Sequence, residues 1–347
     1  MTAFSPYAPL DIKHGKVNMA HGSGGRTSAQ LIEHLFKKHL GNELLNQNND
    51  QALFEIGAGR MVMTTDSHVV SPLFFPGGNI GSLAIHGTVN DLVMSGALPL
   101  YLSAGFILEE GFPLIALEEI VISMARAADF ASVKIITGDT KVVERGKGDG
   151  VYINTSGVGI VPDGVHLSGS FAQVGDAILL SGSIGDHGTA VLSSRENLEF
   201  ETEIISDSAS LEGLVKIMID KTPSIRCMRD PTRGGLACTL NELALQSGVG
   251  IAIEEKHIPI KPQVRAACEL LGLDPLYIAN EGKLVCICPA AAAEELCATM
   301  RSHPLGLDSQ IIGLVTKDER CFVQMKTTLG GMRMVDWLAA EQLPRIC

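Results

Sequence analysis

Three patterns are missing from this chain of 347 residues, and each absence excludes a class of protein. None of the eight cysteines forms a Cys-X-X-Cys pair, so the usual spacing of a zinc site is absent. No GXXXXGK[ST] sequence occurs, which excludes a P-loop. No uninterrupted apolar run reaches about 18 residues, so the sequence predicts no membrane-spanning helix.

The chain also lacks an excess of positive charge. It carries 27 basic and 39 acidic residues, and the formal net charge of −12 argues against nucleic acid or an anionic membrane surface as the main partner. An apolar content of 46% with 19% charged residues is typical of a well-buried globular protein, and the length predicts about two domains. Because no basic segment followed by an apolar run opens the sequence, we expect no signal peptide and a cytoplasmic protein.

Two of the cysteines, Cys286 and Cys288, are two residues apart in an apolar run that is typical of a strand. Alternation along a strand places both thiols on one face. Buried free thiols are the favoured interpretation, and a metal or redox pair is the alternative.

Alternating helix and strand patterns predict an α/β (α+β) fold. The first half contains predicted strands at 60–65, 100–108, 133–137 and 151–161, and helices at 27–40, 79–97 and 113–130. The second half contains predicted strands at 177–181, 250–253, 283–288 and 310–315, and helices at 188–194, 211–219, 235–248, 262–271 and 290–302. The Pro162-Asp163-Gly164 turn predicts a boundary between the halves. We therefore divide the chain into a flexible segment and first helix (1–40), an N-terminal nucleotide-binding and dimerisation domain (41–164), a C-terminal α/β domain (165–336) and a mobile tail (337–347).

Two isolated carboxylates are the first candidate site. Asp66 and Asp91 are the only Asp, Glu, Lys or Arg residues between Met61 and Leu108. A buried carboxylate without a partner is costly and normally finds a cation. Two carboxylate ligands on an ion that also binds phosphate oxygens are typical of a Mg²⁺ site. The alternative is structural, with Asp66 capping a turn and Asp91 pairing with a distant arginine.

Three further turns carry acids beside basic residues. Asp230 and Arg233 lie in a turn that opens a predicted helix, where backbone N–H groups and a guanidinium favour an anion. A second turn, at a strand end, contains Asp139, Thr140 and Lys141. The third contains Glu281 just before an apolar strand. Together these turns predict a shared polyphosphate and metal site.

The last residue of the sequence, Cys347, is a thiol on a terminal segment. Its thiolate is the nucleophilic form. We interpret it as a nucleophile on a tether, able to collect a group at one site and present it at another. The alternative is a frayed terminus that happens to end in cysteine.

Taken together, these motifs resemble those of the HypE family of hydrogenase maturation carbamoyl dehydratases. The matching strings are HGSGGR, TTDSHVVSPLFFPGGNIG, GTVNDLVMSGA, YLSAGFILEEG, TGDTKVVERG, RDPTRGGL, ANEGKLV and the terminal PRIC. The resemblance implies a two-domain fold like that of aminoimidazole-ribonucleotide synthetase, whose N-terminal domain forms a β-barrel across a homodimer. It also implies ATP and Mg²⁺ bound by Asp66, Asp91 and Asp230, with Lys141 and Glu281 near the reacting group.

The chemistry that this resemblance implies gives the terminal thiol a role. A partner carbamoyltransferase loads Cys347 to give a thiocarbamate, ATP phosphorylates the oxygen, and loss of phosphate leaves a thiocyanate. Cyanide then passes to iron on another maturation protein. Two rival functions stay open: a small-molecule kinase or synthetase of the same superfamily, such as thiamine-monophosphate kinase or selenophosphate synthetase, and a non-catalytic ATP-gated scaffold.

Overall fold

The computed structural model describes residues 9–22, 26–47, 59–196, 198, 203–222, 224–338 and 345–347. Part of the HGSGGR motif lies outside the described residues, as does most of the segment that we predicted to be a mobile tail.

The first half of the chain folds around a four-stranded sheet. Its strands are Arg60–His68 (β1), Leu98–Glu109 (β4), Lys134–Val143 (β5) and Val151–Val161 (β6), and a short hairpin of Phe74–Phe75 (β2) and Gly78–Asn79 (β3) follows β1. The order in the sheet is β1-β6-β4-β5. Only the β4–β5 pair is parallel, because the helix between these strands returns the chain to the end of the sheet at which β4 began.

Helices cover one face of this sheet and leave the other open. The helical segments are Arg26–Leu31 (α1), the π-helical Ile32–Phe36, Lys37–Leu40 (α2), Ile80–Met94 (α3) and Leu114–Phe130 (α4). Asn79 begins α3 with a capping box that it shares with Ser82. On the open face of β1, Met61 and Met63 are 45% and 74% exposed. Within the single chain the sheet is open, and no closed barrel forms among the described residues.

The second half is built on a seven-stranded sheet of order β13-β12-β9-β11-β7-β10-β8. Its strands are Ala177–Leu180 (β7), Cys227–Arg229 (β8), Gly250–Glu254 (β9), Val285–Cys288 (β10), Gln310–Thr316 (β11), Val323–Lys326 (β12) and Met332–Met334 (β13). Its helices are Asp186–Arg195 (α5), Glu212–Lys221 (α6), Gly235–Ser247 (α7), Pro262–Leu271 (α8) and Ala290–Arg301 (α9). Cys286 and Cys288 lie fully buried in β10 as free thiols, as the favoured interpretation predicted.

Most predicted elements are confirmed, but two site predictions placed residues wrongly. We expected Asp66 at a strand end, whereas it lies inside β1, paired with Thr155 of β6, so the turn-capping alternative is also wrong. We expected Asp139 and Lys141 in a turn, whereas β5 continues through both to Val143. The strand continues because β4 is long enough to pair with all of it. The sequence patterns also did not predict the short strands β8, β12 and β13.

Asn90 of α3 makes three hydrogen bonds to the second half of the chain. The side-chain amide of Asn90 donates to the carbonyls of Ala209 (3.0 Å) and Glu281 (3.2 Å), and its oxygen accepts from the backbone N–H of Leu211 (2.8 Å). Asn90 is buried, so these bonds are shielded from water. They hold the next residue, Asp91, against the loop that carries Glu281.

Among the described residues, the structure contains no helix that is both long enough and apolar enough to span a membrane.

Candidate active site

Four of the predicted acids converge where the two halves meet. Asp66 comes from β1 and Asp91 from α3, while Asp230 follows β8 and Glu281 lies in the loop before β10. Thr64 of β1 donates to Asp91 Oδ2 at 2.8 Å, which ties this strand to the helix above it. The turn after Asp230 leads into α7, as predicted. The structure therefore places together acids that are up to 215 residues apart in the sequence.

The electrostatics of these acids show a deficit of positive charge. Burial, followed by the charge of Asp91, raises the pKa of Asp230 to about 7. Burial raises the pKa of Glu281 well above its ordinary value, and the charges of Asp230, Asp207 and Asp66 add to the effect. The pKa of Asp91 is also raised, by burial first and then by Asp66, although Thr64, Arg229 and Arg233 oppose the shift. Carboxylates that destabilise one another in this way favour a bound cation.

Glu281 has a further unusual property: its Oε1 atom is buried and has no hydrogen-bond partner in the structure. The side chain is 3% exposed. A buried acceptor without a partner is costly, so the site is complete only when a donor or cation approaches Glu281.

Next to Glu281 lies an ion pair between Lys283 and Asp207, which the sequence patterns did not predict. Lys283 Nζ contacts Asp207 Oδ2 at 3.1 Å, and Asp207 Oδ1 accepts from the backbone N–H of Glu281 at 3.2 Å. Burial alone would raise the pKa of Asp207, but Lys283, His187 and the Glu281 N–H hold it below its ordinary value. Gly282 permits the close approach, because a Cβ atom there would lie 1.8 Å from the Asp207 carbonyl oxygen.

His68 lies beside Asp66 on the face of β1 that α3 covers. Its Nε2 lies 3.4 Å from Asp66 Oδ2, and the ring is 1% exposed. Burial lowers the pKa of His68, and the charge of Asp66 opposes this. Gly87 of α3 faces both groups, and a Cβ atom there would lie 3.0 Å from His68 Nε2.

A cleft of about 640 Å³ opens beside the acids. Its polar lining is Asp91, Ser95, Ser168, Arg229, Asp230, Thr232, Arg233, Thr239 and Glu242. Arg229 is held by Glu242 at 2.6 Å. The cleft thus offers both acids for a cation and guanidinium groups for an anion.

The last three residues of the chain are docked against the same region. Val69 N–H donates to the Cys347 oxygen and Ser71 N–H donates to the Arg345 carbonyl, both at 3.1 Å, in the alternating manner of paired strands. Ile346 is 4% exposed and belongs to the hydrophobic core. Arg345 adds an ion pair with Asp149 at 2.6 Å. Residues 345–347 are therefore bound rather than frayed in this structure.

Cys347 lines a second cavity, of about 350 Å³, next to the acid cluster. The walls contain Ser67, Arg233, Gly234 and Ala279, which are sequence neighbours of the acids, together with the tail itself. Arg233 lines both this cavity and the 640 Å³ cleft. Arg233 therefore borders both the space open to the terminal thiol and the space beside Asp91 and Asp230.

Lys141, Asp139 and Thr140 lie elsewhere. Lys141 Nζ pairs with Asp139 Oδ2 at 2.5 Å, and both side chains are well exposed on β5. With Thr140 they line a cavity of about 220 Å³ under the N-terminal helices. Lys141 also lines a cavity of about 710 Å³ that shares Ser67, Val69 and Arg345 with the cavity of Cys347. The single chain does not bring Lys141 to Glu281, and the predicted relay between them stays a prediction.

The acids fit a metal that is shared with a ligand better than a metal held by protein alone. In the part of the chain that the structure describes, no three His, Cys, Asp or Glu side chains converge closely enough to hold an ion by themselves. Mg²⁺ typically takes one or two carboxylates, with water and phosphate oxygens completing its octahedron. The raised pKa values of Asp91 and Asp230 fit such an ion.

Comparison with known proteins connects these features to a family. Residues 48–161 match the model of the AIR synthase related protein N-terminal domain, and residues 173–326 match that of the C-terminal domain. Carbamoyl dehydratase HypE of Azotobacter vinelandii is 65% identical over 97% of this chain and 99% of its own length.

Solved structures of HypE resemble the whole fold. A crystal structure of hydrogenase maturation protein HypE in complex with ATP has a TM-score of 0.92 and 50% identity, over 95% of this chain and 99% of that one. HypE in a HypE–HypF complex has a TM-score of 0.79 and 49% identity, over 89% of this chain and 99% of that one. On sequence and fold alike, this chain belongs to the HypE family of carbamoyl dehydratases, within the AIR synthase related proteins.

Proposed function

We propose that this protein dehydrates a carbamoyl group carried on Cys347 to a thiocyanate, at the expense of ATP, and so supplies cyanide for the iron of [NiFe]-hydrogenase during maturation. The observation that carries the proposal is the docked terminal thiol, which lines a cavity walled by neighbours of the acid cluster. A carrier thiol must reach the reacting groups, and this arrangement supports such a role.

The ATP requirement is supported by the charges of the cleft and by the ATP complex of the related HypE. Arg229 and Arg233 of the cleft suit phosphate oxygens. Asp91 and Asp230 of the cleft, with Asp66 close enough to add to the rise that burial causes in the pKa of both, suit Mg²⁺. When bound, Mg²⁺ would neutralise phosphate charge and orient the terminal phosphoryl group. Arg233, which lines both cavities, is suited to hold the phosphoryl group while it moves from the cleft toward the tail.

The proposed reaction takes place on the sulfur of Cys347. The carbamoyl oxygen attacks the terminal phosphoryl group, and one nitrogen proton leaves as a C=N bond forms. The C–O bond then breaks with release of phosphate, and the second nitrogen proton leaves as the C≡N bond forms. The products are ADP, phosphate and thiocyanate on sulfur, so no oxidant or reductant is needed.

Glu281 is the proposed base for the nitrogen protons. Its unpartnered Oε1 is free to accept, and burial raises its pKa, which makes the ionised carboxylate a stronger base. Lys141 was predicted to act with it, but in the single chain its ion-pair partner is Asp139. Lys283, which holds Asp207 beside the Glu281 backbone, is the nearer ammonium group.

We propose three kinds of partner. A carbamoyltransferase loads Cys347, which is supported by the HypE–HypF complex of the relatives. An iron-scaffold maturation protein accepts cyanide, and this requires the tail to leave its docked position. A second copy of the chain covers the open face of the first sheet, where exposed Met63 and half-buried Tyr101 both lie opposite Val158, and so completes a barrel across a homodimer.

A mass measurement separates this function from its rivals. Cleavage after lysine isolates residues 327–347, in which Cys347 is the single cysteine. After carbamoyl-loaded protein is incubated with ATP and Mg²⁺, this peptide should lose the mass of one water. A superfamily kinase would instead yield a free phosphorylated product, and an ATP-gated scaffold would yield neither.

A further inference from the structure

The tail is held by its main chain, and two side chains of one helix make the decisive contacts. His187, in the first turn of α5, lies with Nε2 2.9 Å from the carbonyl oxygen of Ile346. Arg195, the last residue of α5, donates from one guanidinium nitrogen to the Arg345 carbonyl and from another to the Ser71 carbonyl, both at 2.8 Å. Two consecutive peptide groups of the tail are therefore bound by α5.

The hydrogen-bond directions around His187 are fixed by its partners. The Ile346 carbonyl can only accept, so Nε2 carries the proton and donates. Nδ1 then accepts from the hydroxyl of Ser206 at 2.8 Å, and this hydroxyl in turn accepts from Ser208 N–H at 3.1 Å. The ring is fully buried, so each of these bonds is shielded from water.

This chain of bonds continues to the acid cluster. Asp207 lies between Ser206 and Ser208, and its carboxylate binds Lys283 and the Glu281 backbone. The same three-residue segment therefore supports His187 on one side and the loop of the proposed base on the other. Residues 206–208 therefore stabilise both the position of the tail and the geometry around Glu281.

We propose that His187 and Arg195 are positioning residues for Cys347, which bind the tail carbonyls and so set the fraction of molecules whose terminal thiol is docked. Because carbonyls are recognised, the contacts do not depend on the state of the sulfur. The tail can therefore return to the same place whether its thiol is free or loaded. The link to catalysis rests on the proposed function, but the docking itself does not.

The test is the alkylation rate of Cys347 in the full-length protein, measured with iodoacetamide on the 327–347 peptide. His187→Phe removes the donor and keeps an aromatic ring, and Arg195→Gln removes the bridge between the two carbonyls. One net hydrogen bond changes an equilibrium by roughly 5- to 10-fold, so we expect labelling to accelerate by about that factor in each variant. His187→Gln, whose amide N–H can replace Nε2–H, should stay close to wild type.

Two controls separate positioning from general loosening. Glu196→Gln changes the exposed neighbour of Arg195 and should leave the rate unchanged. Cys268 is buried in the cluster that packs α8 against Ala190 of α5, so its labelling reports whether α5 has loosened. Arg195 is partly exposed at the helix end, so Arg195→Gln provides the test even if His187→Phe fails to fold.

The proposal is overturned if Cys347 labelling is unchanged in Arg195→Gln, or if Cys268 labelling rises in parallel with it. Labelling needs neither ATP nor a carbamoyl donor, so the result is independent of the proposed reaction. If the wild type forms no thiocyanate while the labelling pattern is as expected, the proposed function fails and the docking role stands.

Discussion

Asp230→Asn offers the sharpest test of the charge deficit in the candidate site. A pKa of about 7 against the ordinary 3.8 corresponds to about 4 kcal/mol of unfavourable free energy for ionised Asp230 in the folded protein. Relaxation of the site and its partial access to water reduce this, and we expect about 1–2 kcal/mol to appear as stability. The asparagine is neutral and similar in shape, so without nucleotide the variant should be more stable than the wild type at pH 8.

The sign of the pH dependence follows from linkage. Between about pH 4 and pH 7 the folded state keeps a proton on Asp230 that the unfolded state has lost, so the free energy of unfolding falls as pH rises through this interval. The advantage of Asp230→Asn should therefore be small near pH 4 and complete above pH 7. Urea unfolding at several pH values measures it, with Asp163→Asn in an exposed turn as the control. A variant that is no more stable than wild type at pH 8 would refute the reasoning.

Four other variants test separate parts of the site. Cys347→Ser should abolish thiocyanate formation and leave the ATP dissociation constant within about 2-fold, measured by calorimetry, and an equal loss of both would contradict a carrier separate from the nucleotide site. Asp91→Asn should weaken Mg²⁺-dependent ATP binding without unfolding the chain, and melting with unchanged affinity would instead assign Asp91 a structural role. Glu281→Gln should slow single-turnover dehydration by about 10²–10⁴-fold, because the amide cannot accept a proton. If Lys141→Ala slows it equally and the double variant is far from additive, the two residues act as one relay, whereas a normal rate in Lys141→Ala would exclude the relay.

Local patterns were sufficient to predict the regular elements. Helix α4 begins within one residue of its predicted start because Pro113 precedes a stretch with apolar side chains at helical spacing. Strand β6 was predicted at its observed bounds, and every second residue along it is buried. The strands β12 and β13 are short, and the sequence around them has no comparable periodicity.

The candidate site was only partly predictable. Asp66 and Asp91 could be recognised because each is a carboxylate in an otherwise apolar stretch, and Glu281 because it immediately precedes an apolar strand. Asp207 could not, because it lies in a polar segment without periodicity, and its role comes from Lys283, 76 residues away. His187 and Arg195 gave no signal for a similar reason: their partners are main-chain carbonyls, which every sequence has.

The acids repel one another, yet the two halves that carry them stay in contact, and the division of the acids between the halves explains how both can hold. Asp66 and Asp91 belong to the first half, Asp230 and Glu281 to the second, so their mutual repulsion acts across the junction. Asn90, whose side chain is buried, opposes it with three hydrogen bonds placed one residue from Asp91. A cation bound between the acids would remove the repulsion and would add a stabilising contact between the two halves. Binding of Mg²⁺ with a nucleotide should therefore strengthen the contact between the halves. Because both halves line the cavity in which Cys347 lies, its walls should also become more rigid.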